Sequence, residues 1–368
     1  MAKNANGAGS IVYEPDRKKY RVYIVTPEGR RITKRFTQWK EANAWLSLTK
    51  ASVVNKTFVE PSDITLGSWL VSYLRDYKAQ NIAPKTMDLY TLLASKCAPI
   101  ADEKLQHISA RSLQGFYTEL LGTQSVEMVR KVHRFLHAAF EKARRIGVIT
   151  TNVIDLAEPP KRTDKKEIAV FTPEEISKVY AAAKEYSGGR YYPFIMLAFA
   201  TGARLGELLA LFWDCVDFEK DEITIKRNLT VSVAAGTQIG PPKTKSGVRT
   251  ISVPHTVLQL LKDMQHASDV LRVAGPVFVT RNGTPFSPRN LTHIWANIVK
   301  LSGIPYKNFH AIRHTHATEL LAAGAPIADV SRRLGHAKIS HTLDLYGHAI
   351  PRMDKDISQK VSLLFTNK

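Results

Sequence analysis

Along the chain the period of the apolar positions changes several times, and each change marks an element. YRVYIV (Tyr20 to Val25) and RRITKRF (Arg30 to Phe36) alternate apolar and polar residues on either side of TPEG, which predicts a hairpin. In WKEANAWLSLTKASVV the spacing becomes helical, with Trp39, Ala42, Trp45 and Leu46 on one side. A small sheet with one helix is therefore expected over residues 1–60. Four amphipathic runs follow: TLGSWLVSYLRDYKAQ, APKTMDLYTLLASKCAPI, SARSLQGFYTELLG and SVEMVRKVHRFLHAAFEKARRIG. They predict four or five helices over residues 61–162, ending at AEPPKRTDKKE, whose paired prolines cannot continue a helix. In the last run Val132, Phe135, Leu136, Ala139 and Phe140 make an apolar stripe suited to a core.

The remainder, residues 163–368, mixes both periods. Thr172, Pro173 and Glu175 spell a capped helix start. YYPFIMLAFATGARLGELLALFW reads as a buried helix, a glycine break and a second helix opening near Arg204, and a helix start suits an anion. DEITIKR and VRTISVP alternate as strands. The long connection between them contains PPKTKSG, so Lys243 and Lys245 are expected at a hairpin. FHAIRHTHATELLAAG is helical and ends at Gly324, and PIADVSRRLG supplies a shorter helix after the turn. The fold class expected is multidomain and mainly α with small β-sheets: a sheet-plus-helix module, a helical domain and an α+β domain.

Charge narrows the partner. Lys and Arg outnumber Asp and Glu by 52 to 33 in 368 residues, a net +19, which favours a polyanion such as nucleic acid. Residues 1–60 alone carry twelve basic against five acidic side chains. Arg21 and Lys34 on the predicted hairpin are candidate DNA contacts. So are Arg130, Lys131 and Arg134 on the most basic helix, which also carries Lys142, Arg144 and Arg145, together with Lys243 in the loop. The two cysteines, Cys97 and Cys215, are far apart and suit neither a disulfide framework nor a zinc finger. The start MAKNANGAGSIVYEP lacks an apolar leader core, and no run of eighteen apolar residues occurs. A cytoplasmic protein with no membrane segment is expected.

The candidate chemistry gathers near the end of the chain. LGHAKISHTLDLYGHAI carries His336, His341 and His348 around Tyr346. His310 and Arg313, three apart on a helix, can meet one ligand. His310 and His314 have zinc-helix spacing, but the residues between them include an arginine and no glutamate, and the neighbouring lysines and arginines oppose a cation. No metal or other cofactor is expected. A phosphate fits these residues better. Arginines bind its oxygens bidentately, histidines add donors, a lysine can protonate a leaving oxygen, and a tyrosine becomes a nucleophile when cations stabilise the developing charge.

TGARLGEL with Arg204, KTKSGVRTI, HAIRH with His310 and Arg313, LGH with His336, and Tyr346 ten residues later resemble, in that order and spacing, the tyrosine recombinase (phage integrase) family. The central helices are similar to the family's SAM-like core-binding domain. The basic first module is similar to the arm-binding domain of integrases from phages and conjugative transposons.

The resemblance implies an enzyme that cuts and rejoins duplex DNA at attachment sites through a 3′-phosphotyrosyl intermediate, integrating and excising a phage or mobile element. It implies Tyr346 as nucleophile and Arg204 and Arg313 on the phosphate. His310 would assist proton removal, His336 would bond a non-bridging oxygen, and a loop lysine would protonate the 5′ oxygen. Lys245, next to the Ser-Gly turn, matches the pattern better than Lys243. His314, His316, His341 and His348 are expected as packing or supporting groups, and Glu207 as a partner that orients Arg204.

The implied partners are double-stranded DNA at core and arm sites and three further copies in a tetramer on DNA, in a bacterial host's cytoplasm. An excisionase and a host DNA-bending protein belong to integrases of this layout. Two other readings remain: a chromosome-dimer or plasmid resolvase, and a noncatalytic helix-turn-helix regulator in which Tyr346 would be core. The tail's Ile357, Val361, Leu364 and Phe365 are expected to dock on a neighbouring protomer.

Overall fold

The computed structural model describes residues 9–25, 29, 31–55, 58–162, 168–266 and 275–347, and divides into two compact units, Met1–Asp164 and Lys165–Lys368.

In the first unit the expected hairpin is present as Lys19–Val25 and Arg31–Phe36, paired antiparallel with Val22 opposite Lys34. A further strand, Ser10–Glu14, pairs on the other side of Lys19–Val25, and its short sequence gave no separate signal. The chain turns between them through Pro15–Arg17 and Lys18, which takes left-handed geometry (φ 50°). The helix Trp39–Val54 covers the sheet with Ala42 and Leu46 against Val22. Trp39, expected on that buried side, is 56% exposed. The small sheet covers the middle of the helix and leaves its first residue open.

The same unit has a second, larger core. Helices Leu66–Ser72, Pro84–Ser95, Ala110–Leu121 and Val126–Arg145 surround it, the first continuing as a π-helical turn over Tyr73–Lys78. Thr65, Ser109 and Ser125 start three of these helices by accepting a backbone N–H with the side-chain oxygen. The stripe of Val132, Phe135, Leu136, Ala139 and Phe140 is fully packed inside. Trp69 buries its ring there and donates Nε1–H to the carbonyl of Ala139 at 3.1 Å, so the indole leaves no unpaired donor.

The second unit packs helices Pro173–Glu185, Tyr192–Thr201, His255–His266, Pro288–Leu301 and His310–Ala322 about Phe171, Phe194, Ile195, Phe199 and Trp295. The Thr172 and Glu175 capping box is formed as the sequence predicts. The strands Glu222–Ile225 and Arg249–Ser252 pair antiparallel, with Val216–Asp217 on the outer side of the first.

One local expectation changes. The connection between the two longer strands contains its own two-stranded hairpin, Asn228–Ser232 with Gly236–Gly240. Lys243 and Lys245 lie after that hairpin, and Lys245 opens a single 3₁₀ turn to Gly247 that leads into the next strand. A smaller cluster of Ala317, Leu321, Val330, Leu334 and Tyr346 joins helix His310–Ala322 to the short helices Ile327–Leu334 and Ile339–Tyr346. The tail residues expected to dock on another protomer, and His348, lie outside the described residues.

Candidate active site

Gly202 ends the buried helix Tyr192–Thr201 in left-handed geometry (φ 60°), and Arg204 then caps the five-residue helix Leu205–Leu209. A side chain at 202 would be excluded twice over, because a Cβ there would lie 2.7 Å from the His316 ring. Glu207, one turn into the short helix, accepts from the Arg204 backbone N–H at 2.9 Å and from Arg204 Nη1 at 2.8 Å. Its other partner is Arg249 Nη2, also at 2.8 Å. Burial by itself would raise the Glu207 pKa, but Arg249 and Arg204 outweigh it and hold the carboxyl below its usual range. Glu207 therefore fixes two arginines from one buried position, and the Arg204 side chain keeps 41% of its surface exposed.

Arg313 is anchored differently. Its guanidinium donates to the carbonyls of Gly202 (3.0 Å) and Leu334 (2.7 Å) and is almost wholly buried. Burial, then the charge of Arg204, pushes its pKa down to about 9, so it stays cationic at neutral pH. Arg249 is held by the carbonyls of Arg333 (2.6 Å) and Gly247 (3.0 Å) in addition to Glu207. The lysine turn is pinned against the same place: a Cβ on Gly335 would meet Arg249 Nη1 at 2.9 Å and the Ser246 carbonyl at 3.0 Å. Lys245 and Lys243 are both exposed, and Lys245 precedes Ser246, whose carbonyl lies beside Gly335.

Three histidines surround the arginines. His336 Nδ1 is engaged by Thr342 Oγ1 at 2.7 Å, which leaves Nε2 for a further partner. Burial, with Arg313, His341 and Arg204, lowers its pKa to about 3. His310 begins its helix and reaches solvent, yet the surrounding protein, together with His314, Arg313 and Arg204, lowers its pKa to about 4. Both rings are neutral at pH 7 and retain an acceptor nitrogen. Tyr346 is 1% exposed, and its hydroxyl lies 2.6 Å from His314 Nδ1. Burial raises the phenol pKa, against a lowering by Arg313 and Arg204. Arg204, His310, Arg313, His336 and Tyr346 thus share one electrostatic neighbourhood.

Residues 169–352, which contain all of these groups, match the family model described as the phage integrase family. Over 99% of this chain and the whole length of the relative, 30% of residues are identical to a "Tyrosine recombinase XerC-like" protein of Caldanaerobacter subterraneus subsp. tengcongensis. The chain is a tyrosine recombinase of the phage integrase family.

The ICEBs1 integrase of Bacillus subtilis is 26% identical over 70% of the recombinase and 71% of its own length. Among solved structures, the Tn1549 transposon integrase in complex with a circular intermediate DNA superposes with a TM-score of 0.71 at 22% identity, covering 82% of the recombinase and 99% of that chain. A lambda integrase dimer bound to a core site gives 0.61 at 18% identity, covering 94% and 96%. The fold is that of these integrases, mainly helical with small sheets, and the protein is a site-specific recombinase of the integrase type.

Several side chains of the recombinase were not anticipated. His314, expected as a packing group, makes the hydrogen bond to the phenol, and its place one turn after His310 in HAIRH was the available signal. Arg249 lies on the inward side of the VRTISVP alternation, where a buried arginine needs a carboxylate partner. Arg333 donates Nε–H to His316 Nε2 (3.0 Å) and Nη2 to the carbonyls of Ala200 and Ser252, while His316 Nδ1 donates to Phe199 O at 2.8 Å.

The expected DNA contacts behave less uniformly. Arg130 donates to the Pro160 carbonyl at 2.6 Å, Arg134 pairs with Glu127, and Arg21 pairs with Glu14. Lys34 stands near the Phe36 ring, and Lys131 is half-buried.

Proposed function

We propose that Tyr346 attacks a scissile phosphodiester of duplex DNA, forming a 3′-phosphotyrosyl bond and releasing a 5′-hydroxyl. The single observation that carries this reading is the enclosure of one phenol among two fixed arginines and neutral histidines, with no carboxylate facing it among the contacts described. Arg204 and Arg313 bind the non-bridging oxygens and stabilise the charge of the pentacoordinate transition state. His336 bonds an oxygen through Nε2, and His310, at the start of the helix that carries Arg313, contacts the phosphate. Lys245 protonates the leaving 5′ oxygen, supported by the packing of its turn beside Gly335. One ester replaces another, so strand exchange requires no nucleotide hydrolysis.

The division of labour follows the chain. Residues 1–60 read arm-type sites with the three-stranded sheet, residues 61–162 hold the core site, and residues 163–368 carry the chemistry. Four copies assemble on two recombining duplexes, in the cytoplasm of a bacterial host. The named relatives include an element's integrase and proteins crystallised on DNA, one of them a lambda integrase tetramer on a Holliday junction, which supports DNA as the partner. An excisionase and a host bending protein complete the scheme for integration and excision. The alternative of resolving chromosome or plasmid dimers draws on the XerC-like relative. The basic sheet module, with its excess of arginine and lysine, favours integration.

The test uses nicked suicide duplexes tiled from DNA flanking the coding sequence, resolved on denaturing gels. Native protein is expected to give a covalent band that Tyr346→Phe abolishes while retaining binding. Sequence-specific binding with no adduct at any site would instead support a noncatalytic regulator.

A further inference from the structure

The phenol touches His314, not the histidine of the His-x-x-Arg pair. Tyr346 Oη and His314 Nδ1 are 2.6 Å apart, a short hydrogen bond. His310 instead packs edge-on against the His314 ring, with centroids 4.7 Å apart and planes at 85°, which fixes the plane of that ring. His336 spends its Nδ1 on Thr342. In the tautomer with its proton on Nε2, the imidazole presents a vacant Nδ1 acceptor to the phenol, 2.6 Å away.

We propose that His314 takes the proton from Tyr346 as the phosphotyrosyl bond forms and returns it when that bond is broken. The proposal rests on Tyr346 being the nucleophile. In cleavage Oη–P forms, P–O5′ breaks, the Oη proton passes to Nδ1, and O5′ receives a proton from Lys245. In religation the entering 5′-hydroxyl gives its proton to Lys245, P–Oη breaks, and the His314 imidazolium reprotonates the phenolate. No proton is gained or lost over the cycle.

The groups facing His314 favour this use. Arg313 adjoins it on the same helix, His310 lies one turn back, and Tyr346 comes from the last described helix. Burial, and then Arg313, keeps the imidazole in its neutral form at pH 7. An incoming phosphodiester neutralises Arg313 and Arg204, so the basicity of His314 rises when DNA is bound, the moment at which a base is needed.

The experiment compares the full-length wild type with His314→Asn and His314→Ala on a nicked duplex that yields adduct. Asparagine places an acceptor oxygen where Nδ1 stood but cannot carry the proton. Expected for His314→Asn is unchanged DNA binding, a drop in adduct formation of about 10²- to 10⁴-fold, and a residual rate that climbs with pH. Imidazole in solution should restore His314→Ala. A duplex with sulfur at the 5′ bridging position, which needs no acid, should rescue Lys245→Ala but not His314→Asn. The proposal is overturned if His314→Asn cleaves within about threefold of wild type or faster, or if its loss is flat with pH. If the wild type forms no adduct, or Tyr346→Phe still forms one, the nucleophile assignment itself fails, which is a separate result.

Discussion

Glu207 is the carboxylate on which two of the arginines depend, and neutralising it isolates that dependence. In Glu207→Gln the shape is kept and the charge is lost. Arg249, whose side chain is 4% exposed, would keep its two carbonyl acceptors but lose its only described counter-charge. Breaking a buried pair in this way costs about 3 to 5 kcal/mol. The Arg204 side of the carboxylate is partly solvated and adds about 1 kcal/mol at most. We therefore expect a loss of about 3 to 5 kcal/mol in guanidinium unfolding of the full chain. Hydrogen exchange on peptides around 204–211 and 249–253 would assign that loss to this region. In an Arg249→Met background the same Glu207→Gln change should cost under about 1 kcal/mol, since the buried cation is then gone. A loss below about 1 kcal/mol in the native background, or equal losses in both backgrounds, would refute the view that Glu207 acts mainly through Arg249.

Other consequences can be checked alongside. Gly202→Ala should lower stability by about 2 to 4 kcal/mol, from its left-handed backbone and the collision with His316, and thermal unfolding would read it. Thr342→Val, isosteric at a buried site, should slow cleavage about 2- to 10-fold at unchanged DNA affinity by releasing His336 Nδ1. His316 and His336 have folded pKa values of about 4 and about 3 against an ordinary 6.5, so the folded state binds fewer protons than the unfolded one. Their stabilising effect is present above pH 6.5 and is lost progressively as pH falls toward those folded values, which a series of unfolding midpoints between pH 7 and 4 would detect. Lys245→Ala should lose cleavage that a bridging-sulfur duplex restores, whereas Lys243→Ala should change binding alone.

What could be read from the sequence was what depends on near neighbours. The stripe from Val132 to Phe140 announced its own burial because helical period and apolarity coincide, and Thr172 with Glu175 announced a cap because both partners lie within one turn. The order of Arg204, His310, Arg313, His336 and Tyr346 carried the family, and the fold brings these groups into one neighbourhood. Contacts that close over distance were silent. Arg249 reaches Glu207 across 42 residues and Arg333 across 84, and His314 meets Tyr346 across 32. Arg130 was expected as a phosphate contact, and one nitrogen of its guanidinium already donates to the Pro160 carbonyl, thirty positions away. Charge identifies a candidate for DNA, whereas only the packed chain tells which charges are already engaged.

The carbonyls that grip Arg313 belong to Gly202 and Leu334, on either side of it in the chain, and those that grip Arg249 belong to Gly247 and Arg333. A chain emerging from the ribosome has made Arg204 and Arg313 well before Leu334 exists to hold the second of them. The geometry that holds Arg313 is therefore a product of completed folding, and a chain that stops short of Leu334 lacks one of its two described carbonyl acceptors. Peptide dipoles steady a charge without cancelling it. The Arg313 charge is thus held in place by carbonyls that leave it intact.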